Sequence, residues 1–169
     1  MNTKDVFSES FDRLPELVHD AVDGLSVDEL TFRIDPEANT IAWLVWHLTR
    51  VQDDHVAGVS PFEQVWHTNG WFDRFALPFD RDAHGYGQSA EEVGAVRVSA
   101  ELLSGYYDDV HAQTRRFVDS LTDADFDRVV DERWEPPVTL GARLVSVLGD
   151  DLQHVGQAAT VRGVVLRRR

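Results

Sequence analysis

Between Thr139 and about Val165 the chain carries an unbroken helical repeat, and this segment limits the fold more than any other. Leu140, Leu144, Val147, Leu148, Leu152 and Val155 recur at the spacing of one helix face, so a helix with an apolar stripe is predicted, with Thr139 as its cap. A stripe of that length must be covered by other elements. Asp150 and His154 lie on this helix four residues apart, so their side chains point the same way, one turn above the other. A carboxylate within a turn of Val147 and Leu148 is expected to pair or to ligate rather than stand alone. The two groups can grip one metal ion if a third ligand arrives from another helix. The candidate for that ligand is His47, in Trp43-Leu44-Val45-Trp46-His47-Leu48-Thr49-Arg50.

Three more segments supply the covering helices. The first runs from Thr3 to about Asp23, with Thr3 as cap and Pro15 as an internal kink. Its buried stripe is Val6, Phe7, Phe11, Leu14, Leu17, Val18 and Val22. The second runs from Thr40 to about Gly58; Trp43 and Trp46 widen its apolar surface almost all round, leaving His47 in an apolar setting. The third runs from about Ser99 to Leu121, with Leu102, Leu103, Tyr106, Val110 and Phe117 on its inner face. Ser26-Val27-Asp28-Glu29 and Ser89-Ala90-Glu91-Glu92 have the form of capping boxes that open short additional helices. Leu77 to Gln88 and Thr122 to Pro137 are expected as connections, the latter with a brief extended stretch at Val129-Val130. Four amphipathic helices without convincing strands predict an all-α fold, an antiparallel four-helix bundle with short extra helices in the connections. Residues 1–169 are expected to form one domain. His84 and His111 are expected at the surface, and His19 at the surface or half-buried.

Thirty acidic against sixteen basic residues give a net charge of -14, which repels phosphate backbones and argues against a nucleic-acid partner. The chain has no cysteine, which removes disulfides, thiolate ligands and a cysteine nucleophile. Any metal must be held by His, Asp or Glu, and any thiol chemistry must use a thiol brought by another molecule. Met1-Asn2-Thr3-Lys4-Asp5 lacks the apolar core of a signal peptide, and no apolar run approaches membrane-spanning length. A cytoplasmic protein without a membrane partner is expected.

Ile41-Ala42-Trp43-Leu44-Val45-Trp46-His47-Leu48, Gly70-Trp71-Phe72-Asp73-Arg74-Phe75 and Asp150-x-x-x-His154-Val155-Gly156 together, in this order, resemble the DinB-like superfamily. Within it the chain is most similar to the actinobacterial DUF664 and mycothiol-dependent maleylpyruvate isomerase group. The resemblance covers nearly the whole chain. It implies a four-helix bundle with a divalent metal, zinc or nickel, held by three side chains matching His47, Asp150 and His154. It also implies thiol-dependent transferase or isomerase chemistry with mycothiol, bacillithiol or glutathione. Two departures stand out. Asp150 occupies a position where the family pattern has Glu or His, so its reach is one methylene shorter. Gln157 stands where many relatives have a second histidine.

Such a site has three protein ligands and leaves open positions, as catalytic metal sites do. A low-molecular-weight thiol acting as cosubstrate would have its pKa lowered there and could add to an electrophile. Trp43, Trp46 and Trp71 are candidates for the wall of the electrophile pocket, and Arg50 for a carboxylate on the thiol. Asp54 is a candidate for orienting a ligand or meeting substrate, and Gln157 for a hydrogen bond to substrate. The alternatives are a non-catalytic metal-binding stress-response protein and a helical interaction module acting as a homodimer.

Overall fold

The computed structural model describes all 169 residues. Its first bundle strut is two helices end to end, α1 (Thr3–Asp12) and α2 (Leu14–Val22). Pro15 sits in the first turn of α2, where its missing N–H is not needed, so the chain breaks at Arg13 and restarts instead of carrying a kink through one helix. The cap of α1 is Asn2, one residue before the expected Thr3. Its side chain accepts from the Asp5 N–H, and Asp5 returns the bond to the Asn2 N–H. The short α3 (Val27–Leu30) is capped by Ser26 and Glu29, as the sequence predicts.

The central strut is α4 (Ile41–Ala57), capped by the Thr40 hydroxyl on the Trp43 N–H. Fourteen of its residues are buried, so this helix is wrapped on nearly all sides. Two short helices follow, α5 (Val65–Thr68) and α6 (Trp71–Phe75), and then a loop to α7 (Ala90–Ala95), which opens at the Ser89–Glu92 capping box. The third strut is α8 (Ala100–Ser120). The long connection after it holds a 3-10 turn at Asp123–Asp127 and two strands, β1 (Val129–Asp131) and β2 (Val138–Thr139), paired antiparallel. The sequence predicts extension at Val129-Val130 but not its partner strand. The last strut, α9 (Leu140–Leu166), starts at its Thr139 cap.

α4 packs most extensively on α9 and also on α8, while α2 touches both α8 and α9, which closes the four-helix ring. Phe11, Leu14, Val18, Leu44, Leu48, Leu103, Leu144 and Val155 lie in the shared core. Three residues of the predicted stripes face out instead: Val6, Leu17 and Leu152 are 47%, 41% and 51% exposed. They lie at the edges of stripes that the partner helices cover only along their centres. No helix is long and apolar enough to cross a membrane.

Candidate metal centre

The dense α4–α9 contact brings His47 opposite Asp150 and His154. One ligand atom from each lies within 4.8 Å of the other two. Ligands held at about 2.1 Å by one tetrahedral ion stand about 3.4 Å apart, so the triad is within about 1.4 Å of that spacing. His47 is buried, whereas Asp150 and His154 are half-buried, and Asp150 lines a cleft of about 340 Å³. Val51, His55 and Tyr86 line one part of that cleft, and Ser146, Val147, Gly149 and Gln153 of α9 line the other.

The hydrogen bonds fix how these groups present themselves. His47 Nδ1 bonds the backbone carbonyl of His84, and His154 Nδ1 bonds the carbonyl of Asp150 at 2.8 Å. A carbonyl only accepts, so each Nδ1 carries the hydrogen and each Nε2 keeps its lone pair. Tying Nδ1 to an acceptor in this way is how proteins set the tautomer and orientation of a metal-binding imidazole. Asp150 Oδ2 lies 3.4 Å from His154 Nδ1, but that hydrogen is directed to the Asp150 carbonyl, so the buried Oδ2 has no hydrogen-bond partner. An orphaned carboxylate oxygen beside two free imidazole lone pairs fits a divalent cation. The electrostatics of the two imidazoles run in opposite directions. Burial lowers the pKa of His47, with His154 adding to the effect, so His47 is neutral and able to donate its lone pair. The Asp150 side chain raises that of His154.

His47 is held from three sides. Trp43 stacks on its ring at 4.6 Å and 11°, and Tyr86 meets it edge-on at 5.1 Å. Gly85 closes the third side: a Cβ there would fall 2.6 Å from His47 Nδ1 and 3.1 Å from the Trp43 ring. Its φ of +103° is also one that side-chain-bearing residues avoid. The whole 83–88 loop is fastened to α4. Trp43 Nε1 donates to Gln88 Oε1 at 2.7 Å, and Arg50 Nε donates to the Ala83 carbonyl at 3.0 Å. His84 is therefore half-buried against the site and not at the surface as expected. His111 is also half-buried, 3.2 Å from Asp12, whereas His19 is at the surface, bonded to Asp108 at 2.8 Å. The contributions of the His84 carbonyl, Gly85 and Tyr86 are absent from the sequence reading. The one available signal was the glycine pair 85 and 87 in a loop.

The candidate pocket residues disperse. Trp43 is at the triad. Trp46 is buried among Trp66 and Phe79. Trp71 belongs to the α8 side, where its Nε1 donates to Asp109 at 2.8 Å and its ring lies against Gly105 and Tyr106. Arg50 is fully buried and serves the interior: Nη1 donates to Gln64 Oε1 and to the Tyr106 hydroxyl, with Asp53 Oδ2 at 3.7 Å. Asp54 accepts from Gln64 Nε2 at 2.8 Å and lies 3.5 Å from His55. Gln157 is exposed on α9, three residues beyond His154.

The fold and centre together define a class, a four-helix bundle that gathers two histidines and an aspartate between α4 and α9. The family model described as the DinB superfamily matches residues 10–158, and the chain belongs to that superfamily. A crystal structure of a conserved protein from Enterococcus faecalis is similar along the whole length. Its TM-score is 0.90 and its identity 29%, and the match covers 98% of each chain. No curated protein matches.

Proposed function

We propose that the protein is a divalent-metal-dependent S-transferase or isomerase acting with a low-molecular-weight thiol, as in the mycothiol-dependent branch that the sequence resembles. His47, Asp150 and His154 hold the cation, zinc or nickel. The observation that carries this reading is the paired Nδ1 anchoring of both imidazoles to backbone carbonyls beside the orphaned Asp150 Oδ2. Three protein ligands at an open cleft leave room for an exchangeable ligand, which is the arrangement of a catalytic site and not of a closed structural one. The cation supplies one thing: it lowers the pKa of a thiol that ligates it. The chain has no cysteine, so the thiol comes from solution as a cosubstrate, and the second substrate is a small electrophile. Trp43 and Tyr86 pack His47 into one orientation and screen it from water. His55 is half-buried on the cleft wall, with its Nδ1 enclosed 3.5 Å from Asp54 Oδ2. Residues 1–169 act as one domain in this reading.

The test is metal content after purification without a histidine tag, followed by a thiol and electrophile screen. About one zinc or nickel per chain is expected, lost in His47→Ala and in His154→Ala along with thiol transfer. Full metal retention by both variants refutes the centre. A second reading, a homodimeric interaction module, draws on the exposed Leu17 and Leu152, which face one groove with Ala21, Val155 and Ala159. A monomer by sedimentation removes it.

A further inference from the structure

The cleft at the triad does not end at Asp150. His55 and Ser146 line this cleft and also a second hollow of about 410 Å³, so the two adjoin. The far end is lined by Arg143 from α9 and by Arg133 and Trp134 from the segment between β1 and β2. Asp131 is shared between the guanidiniums. It meets Arg133 Nη2 at 2.8 Å and Nε at 2.9 Å, and Arg143 Nη2 at 3.3 Å. Asp131 engages Nε and Nη2 of Arg133 and Nη2 of Arg143, which leaves other guanidinium N–H donors uncommitted. Glu132 and Glu135 flank Arg133 and Trp134 in the chain but do not line the hollow, whereas His55 does, and its neighbour Asp54 is paired with Gln64. The Trp134 indole is 65% exposed beside the arginines, with nothing of the protein stacked on it. An exposed indole next to a half-satisfied guanidinium pair suits a molecule that is flat and apolar at one point and anionic at another.

The helix provides a ruler. Arg143 precedes Asp150 by seven residues, two turns on the same face, or about 10 Å along the axis. We propose that the Arg143–Arg133–Trp134 end of the cleft is the anchoring subsite for a carboxylate-bearing small molecule whose reactive end reaches the His47/Asp150/His154 centre. Arg143 and Arg133 take the carboxylate, and Trp134 covers the apolar body. This rests on the metal-centre reading for what happens at the near end, but carboxylate binding at the far end does not require the metal. Arg50, the arginine nearest to His47 in sequence, is sealed in the interior, so this role falls to arginines contributed by α9 and the β-hairpin.

The test is calorimetric titration with two probes, 4-phenylbutanoate and S-methylglutathione, each in zinc-loaded and in EDTA-treated protein. At least one probe is expected to bind the wild type in both conditions and to weaken about tenfold or more in Arg143→Gln. Asp131→Asn, which releases both guanidiniums, is expected to tighten the same probe several-fold, an effect that a merely structural arginine would not produce. If Arg143→Gln fails to fold by circular dichroism, Arg133→Gln gives the same reading from a side chain that is 85% exposed. Selective loss of the glutathione derivative assigns the carboxylate to the thiol cosubstrate, and loss of the aromatic acid assigns it to the electrophile. Binding that is unchanged in the arginine variants, or absent for both probes in the wild type, overturns the proposal. A wild type that holds no zinc yet loses the anion on substitution refutes the metal centre and keeps the subsite.

Discussion

Replacing Gly85 by alanine tests how the 83–88 loop holds His47, and with it the proposed metal centre, without changing a proposed ligand. Two penalties arise together. At φ +103° a residue with a Cβ is held in a strained conformation, which costs about 1–3 kcal/mol. The new methyl group would also lie 2.6 Å from His47 Nδ1, so either the imidazole or the loop must move. Either movement breaks the bond from His47 to the His84 carbonyl, worth about 0.5–1.5 kcal/mol. The sum is about 2–4 kcal/mol, which in a chain of this length lowers the melting temperature by about 5–15 °C. Because the same bond orients the ligand, zinc affinity should fall about 10–100-fold. Thermal unfolding with and without zinc, together with competition against a chromophoric chelator, measures both quantities. Gly87→Ala is the control: it shares the positive φ, at +74°, but its Cβ would meet nothing within 4 Å. It should lose some stability and keep zinc affinity. Wild-type melting and zinc affinity in Gly85→Ala would refute the reasoning.

Three further outcomes are expected. Asp53→Ala removes the acceptor of the Val65 and Trp66 N–H groups and of the Tyr106 hydroxyl, and leaves Arg50 charged in the interior; urea unfolding should show a loss of about 3–5 kcal/mol. Bonding to Arg169, supported by Ser26, holds the Glu29 carboxyl down at about 2 against an ordinary value of 4.5. A lowered acid pKa means that its contribution to stability is complete above about pH 4.5 and is lost as pH falls towards 2. In Arg169→Ala the Glu29 midpoint, followed by NMR, should move up towards 4.5, and an unmoved midpoint would rule out the pairing. Zinc at about 100 times its dissociation constant should stabilise the wild type by about 2.7 kcal/mol, and His154→Ala should show no such shift.

The parts of the fold written in local pattern were legible in the sequence. Thr40, Ser89, Ser99 and Thr139 cap the helices that their spacing announces, because a cap is a three-residue interaction. Asp150 and His154 were legible as a pair for the same reason: four residues on a helix fix their relation. His47 has no local relation to them; it stood out as a histidine on another apolar helix, and the family resemblance then matched all three residues to one site. What stayed hidden is what the backbone does at long range. The carbonyl that orients His47 comes from 37 residues away in a loop without periodicity, and any residue type has a carbonyl to offer. Leu17 and Leu152 were placed in the core because a stripe shows which residues share a face, but not how widely the neighbouring helix covers it. Arg50 looked available for substrate because it follows His47 by one turn. Its burial depends on Gln64, Ala83 and Tyr106, which no spacing rule connects to it.

The fastening of the 83–88 loop to α4 also governs time. Trp43, His47 and Arg50 succeed one another along a single face of α4, and each holds a different point of the same loop. The imidazole cannot turn away from the cleft unless its loop anchor breaks, and the bonds on either side resist that. Escape of an ion held there would thereby be coupled to the peeling of a loop. Its residence time would then follow the lifetime of three hydrogen bonds acting together, and not the strength of any one ligand.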